Sequence, residues 1–85
     1  MTSKMPTSVE LSASLLKILG EHPTGLPVAE IDQAVIQDLG ISSELANQIR
    51  SGNRTEIKYR LAWCRTKAKQ QGLVERLPSN TWKLK

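Results

Sequence analysis

Residues 53–72 constrain this chain more than any other stretch. Asn53 can accept hydrogen bonds from the N–H groups of a first helical turn, Glu56 stands where it completes a capping box, and Gly72 suits the left-handed position that closes a helix. Between them, at about 100° per residue, Ile57, Leu61, Cys64 and Ala68 fall on one narrow stripe, which predicts a helix with a core-facing side. Lys58, Arg65 and Lys69 line one flank of the stripe, and Arg60 and Lys67 line the other. Tyr59, Ala62, Trp63, Thr66 and Gln70 occupy the side opposite the core. Seated on a core, such a helix presents cations on both shoulders and flat or polar groups between them. That face suits a phosphate-lined groove, where cations engage the backbones while Thr, Gln or Tyr approach base edges.

The charge distribution points the same way. Residues 1–49 carry Lys4 and Lys17 against six acids, a net charge of −4, whereas residues 50–85 carry ten cations against Glu56 and Glu75, a net charge of +8. A basic half on a small domain is the expected footprint of a polyanion, although a solvated face gives the same count. A chain of 85 residues is expected to be one domain that hides somewhat over half of its unfolded surface, too small for a large enclosed active site. With no Phe and two Trp, the core must be aliphatic.

Around the basic helix the chain divides readily. Residues 1–6 carry no periodicity and are expected to be a disordered tail, leaving 7–85 as a single domain. Thr7 and Glu10 form a second capping pair ahead of Val9, Leu11, Leu15, Leu16, Ile18 and Leu19, which predicts helix one, ending at Gly20. Residues 21–25 are turn chemistry, and Leu26 can add a short strand. Pro27 suits a first helical turn, followed by Val28, Ile31, Val35, Ile36 and Leu39 in an amphipathic helix to Gly40, with Glu30, Asp32 and Asp38 expected to face water. Ser42 or Ser43 can cap a brief helix through Ile49. A tight helix-turn-helix joins its helices through only a few residues, yet 13 separate Gly40 from Arg54, so the insertion is a decoration or the supporting helix is placed differently.

After Gly72, residues 73–77 and 81–84 alternate like strands around the turn Pro78-Ser79-Asn80, which predicts a hairpin. The predicted class is α+β, mostly helical: a winged helix of three to four helices followed by a C-terminal β-hairpin wing.

Catalysis has little to stand on. The sequence holds no Gly-rich phosphate loop, no Cys or His metal cluster, and no nucleophile and base at a recognisable spacing, so neither cofactor nor metal is expected. His22 reads as a surface residue, and Glu30 and Asp32, two apart, point to different sides of a helix. Cys64 is the only cysteine, which leaves no internal disulfide and suggests a reducing compartment; on the apolar stripe it is expected to pack. No apolar run approaches the roughly 20 residues that span a bilayer, and the opening residues lack a signal-peptide core, so a cytoplasmic location is expected.

From Arg54 onward the sequence resembles the N-terminal winged-helix domain of Mrr-type restriction endonucleases, which target modified DNA. Three segments carry the resemblance: Tyr59-Arg60-Leu61-Ala62-Trp63-Cys64-Arg65, Gln71-Gly72-Leu73-Val74-Glu75 and Thr81-Trp82-Lys83-Leu84. Leu15-Leu16-Lys17-Ile18-Leu19 and Glu30-Ile31 fit more loosely. The resemblance implies a winged helix and double-stranded DNA as partner, with Arg60, Trp63 and Arg65 in the motif segment. It departs at Ala68, where the family usually has a larger aliphatic, and at Ser79-Asn80, where its wing has a glycine. The family's enzymes carry a separate nuclease domain, for which 85 residues leave no room, so catalysis is expected from another chain.

The combined expectation is a non-catalytic module for double-stranded DNA, with residues 54–71 in a groove and residues 73–84 as wing. Its contacts are expected at Arg54, Lys58, Tyr59, Arg60, Arg65, Thr66, Lys67, Lys69 and Gln70 on the helix and at Arg76, Asn80 and Lys83 on the wing. Lys58, Arg65 and Lys69 should act on all sequences alike, and Tyr59, Thr66 and Gln70 should set preference. Trp63 either stacks at an interface or covers the helix edge against the wing. A separate nuclease or other subunit is a further partner; no membrane or small-molecule substrate is expected. The alternative is a winged helix that binds proteins without touching DNA, and a weaker one is single-stranded or structured RNA.

Overall fold

The computed structural model describes residues 5–52 and 54–85. Helix α1 spans Ser8–Gly20, opened by the expected capping box: the Thr7 hydroxyl accepts from the Glu10 N–H at 3.2 Å and the Glu10 carboxylate accepts from the Thr7 N–H at 3.0 Å. Met5 packs against the core and Pro6 is buried; residues 1–4 of the expected tail lie outside the described residues. Leu11, Leu15, Ile18 and Leu19 of α1 are all buried, and the helix packs on elements from both halves of the chain.

Strand β1, Leu26–Pro27, follows a turn in which Gly25 adopts φ +98°. A Cβ there would lie 2.9 Å from Thr81 Cγ2 and 3.0 Å from the Trp82 carbonyl oxygen, so only glycine lets the two backbones meet this closely. Helix α2 is Val28–Asp38, with Pro27 as its extended N-cap rather than a residue of its first turn. Its inner face is Ile31, Asp32 and Val35.

The link between α2 and the basic helix differs from the expected single short helix. Helix α3 is only Ser43–Ala46, capped by Ser42, whose hydroxyl accepts from the Leu45 N–H at 3.3 Å. It gives way to a small antiparallel pair, β2 (Ile49–Ser51) and β3 (Arg54–Thr55). That pair moves the start of the basic helix, α4, to Glu56–Gln70 with Thr55 as cap, its hydroxyl accepting from the Lys58 N–H at 3.3 Å. The Glu56 N–H donates to the Gln48 carbonyl at 2.8 Å, so the backbone is still committed to the strand side until Thr55. Asn53, the cap expected from sequence, lies outside the described residues. At the other end Gly72 takes φ +75°, as its position predicted.

Strands β4 (Val74–Leu77) and β5 (Thr81–Leu84) form the expected hairpin, and β1 pairs on the far side of β5, giving the order β1-β5-β4. Val74 lies across from Leu84 and Arg76 across from Trp82, which puts these four on one face; Val74 and Trp82 are its buried members. Ser79 and Asn80 turn the corner at φ 65° and 57°, which explains why a wing glycine is a natural choice here. Four helices and a three-stranded antiparallel sheet, among the described residues, make an α+β fold of winged-helix type.

Candidate nucleic-acid interface

Helix α4 buries a wider arc than its apolar stripe. Ile57 and Leu61 are fully enclosed, Cys64 and Ala68 are buried as expected, and Arg65 joins them at 8% exposure. The Cys64 thiol faces the Ser8 carbonyl at 3.9 Å, which agrees with a packing role.

The placement of Arg65 corrects the expectation that it stands outward as a phosphate contact. Its Nη1 donates to Asp32 Oδ1 at 2.8 Å, with the two side chains only 9% and 7% exposed, and its guanidinium carbon sits 5.9 Å from the centre of the Trp82 ring. Asp32 likewise does not face water. Burial pushes its carboxyl up, and the adjoining Arg65 and, further off, Lys58 pull it back without cancelling the effect. The pair joins α2 to α4 through residues 33 positions apart, so no local pattern reveals it. The available signal was that each residue borders an apolar stripe and carries the opposite charge.

Asp38 faces water as expected, and its carboxylate is engaged there. Lys17 Nζ lies 2.6 Å from its Oδ1 and the buried Ser14 hydroxyl donates to its Oδ2 at 2.7 Å, so both partners hold the carboxyl below its usual range while Lys17 is raised in turn. This second tie joins α1 to α2 at the surface.

The rest of α4 presents a polar outer surface. Lys58, Arg60, Thr66, Lys67, Lys69 and Gln70 are exposed, and Tyr59 and Ala62 are half-buried. Arg60 Nε donates to Glu56 one turn earlier at 3.0 Å, an exposed pair of small energetic weight. The Thr66 hydroxyl donates to the Ala62 carbonyl at 3.0 Å, which leaves its oxygen able to accept. Arg54 belongs to β3, with its side chain outside the described residues.

On the hairpin, Arg76 donates to the Asn80 side-chain oxygen at 2.7 Å, and Lys83 stands across from Glu75. The tip does not project freely: the Asn80 carbonyl accepts from the Val28 N–H at 3.0 Å, tying it to the start of α2. The wing is therefore short and held against the body.

A groove of about 440 Å³ runs between the start of α1 and the second shoulder of α4. Val9, 78% exposed, and Trp63, 54% exposed, stand at its edges with Tyr59, Arg60 and Lys67. Trp63 thus borders α1 instead of covering the helix edge against the wing. Sequence reading missed this groove, which exists only because α1 crosses α4. A second depression, of about 330 Å³ and lined by Tyr59, Ala62, Trp63 and Thr66, lies on the outer side of the same indole.

Among the described residues no three or more His, Cys, Asp or Glu side chains gather as metal ligands, and no helix is long and apolar enough to cross a membrane. The family model described as Mrr N-terminal domain matches residues 9–85. No curated protein and no solved structure matches the chain.

Proposed function

Because the chain belongs to the Mrr N-terminal domain family, and so to a class of domain associated with restriction enzymes, we propose that it docks double-stranded DNA and does no chemistry itself. Cleavage in this reading belongs to a separate nuclease domain. The observation that carries it is the outward surface of α4, where Lys58 and Lys69 on one shoulder and Arg60 and Lys67 on the other flank Tyr59, Thr66 and Gln70, all on a helix seated on the core. The four cations engage phosphates of the two strands, and the polar side chains between them meet base edges. Arg76 and Lys83, with Asn80 at the turn, give the hairpin a second phosphate contact. Arg65 supports the helix and is not counted among the contacts.

Duplex titrations at several salt concentrations test this reading. Each phosphate neutralised should contribute about −0.9 to the slope of log affinity against log salt, so the four α4 cations alone predict a slope near −3.6. A flat response, or no binding at low salt, removes it. Amide shifts confined to residues 1–49, or absent, would favour a protein partner instead.

A further inference from the structure

The groove between α1 and α4 has a composition that the duplex contacts leave unexplained. Leu11 and Cys64 give it an apolar floor, the Trp63 indole forms one wall, and Arg60 and Lys67 are the charges along it, with no carboxylate in the lining. Arg60 gives its Nε to Glu56, and among the described residues its terminal nitrogens can meet another anion. Among the described residues no acid pairs with Lys67. Ser12 and Gln71 place a hydroxyl and an amide in the same lining. A site that offers an aromatic face, two cations and a few hydrogen-bonding groups matches a flat heterocycle carrying a phosphate. Its volume of about 440 Å³ lies inside the range, roughly 300–1,000 Å³, of small-ligand sites.

Position narrows the choice further. Tyr59 and Trp63 line both this groove and the outer depression beside Thr66, so the indole is a partition between the surface proposed to meet the duplex and the groove behind it. We propose that the groove receives one nucleotide swung out of the bound duplex, with its base laid on the Trp63 ring and its phosphate between Arg60 and Lys67. The inference rests on the DNA reading above. Unstacking a base is unfavourable, and the exposed indole together with the exposed Lys67 supplies the compensating contacts.

The test uses duplexes carrying 2-aminopurine, methylated and unmethylated, with the reporter moved one position at a time. Its fluorescence rises when it leaves the stack. At saturating protein one position should brighten several-fold, and Trp63→Ala should abolish that rise while keeping the salt slope of duplex binding, since base stacking and phosphate contacts are separate terms. Deoxynucleoside monophosphates should shift the Trp63 indole and the amides of Ser8, Val9 and Ser12. Saturated binding with no brightening at any position overturns the inference and leaves the DNA reading standing. Shifts of the same resonances by an acidic amphipathic peptide, but not by the monophosphates, overturn it and assign the groove to a protein. Absence of duplex binding at low salt removes both.

Discussion

One shoulder of α4 is drawn into the protein and the other is left in water, although the sequence writes both in cations. On the first, Arg65 turns toward Asp32 and lies over Trp82, and only Lys58 and Lys69 remain outside. On the second, Arg60 and Lys67 stay exposed beside the indole of Trp63. The difference lies in what faces each shoulder. α2 brings an acid and the sheet brings an aromatic ring to the first, whereas α1 brings small and apolar residues, Ser8, Val9 and Ser12, to the second. A cation on a helix is thus a building element where a buried acid meets it and stays in water where none does.

The largest expected effect is on the buried shoulder. Asp32→Ala leaves a guanidinium enclosed without its counter-charge and should cost about 3–5 kcal/mol in urea unfolding; Arg65→Met added to it should restore part of that loss, because both charges are then gone. A single substitution costing under about 1 kcal/mol would break the comparison. Arg65→Lys keeps the charge but loses the Nη1 donor to Asp32 and the guanidinium over Trp82, and should cost about 1–2 kcal/mol. On the open shoulder, Lys67→Gln should change stability by less than about 0.5 kcal/mol while making the salt slope of duplex binding shallower by about 0.9. If Lys67→Gln instead unfolds the protein and leaves binding intact, the two shoulders have been assigned the wrong way round.

The smallest effect separates the two acids of α2 by pH. The Asp32 carboxyl is raised, so just above about pH 3.9, the ordinary aspartate value, the folded state holds a proton that the unfolded chain has lost, and this group's contribution declines as pH rises through its folded pKa. The Asp38 carboxyl is lowered, so its contribution is present above about pH 3.9 and is lost as pH falls through its folded pKa. Asp38→Asn should therefore flatten the acid limb of a stability profile, and Asp32→Asn should steepen the fall on acidification just above pH 3.9. Slopes of the same sign would contradict the assignment.

What could be read from the chain alone was what its neighbours in sequence decide. Thr7 with Glu10, Gly72, and the alternation of residues 73–84 each write an element locally, and the structure has each of them. The cap of α4 was misplaced by two residues because Asn53 and Thr55 are both competent caps, and the choice fell to a strand pair too short and polar to show in a pattern. Arg65 was misread because its partner lies on another helix, and the groove beside Trp63 could not be foreseen because it is made by the crossing of two helices. The exposed positions of Lys58, Lys67, Lys69, Thr66 and Gln70 followed from helical geometry once the core stripe was known.

The pairing of Leu26 with Trp82 has a kinetic side. A strand from the first third of these residues waits for one near their far end, so on the ribosome the helices can gather long before the sheet exists. Until residue 82 leaves the exit tunnel, Gly25 has no backbone to approach and Arg65 has no ring to lie on. Nascent chains from which residue 78 has just left the tunnel should therefore remain protease-sensitive across α2, and protection should arrive in one step as residues 81–84 emerge.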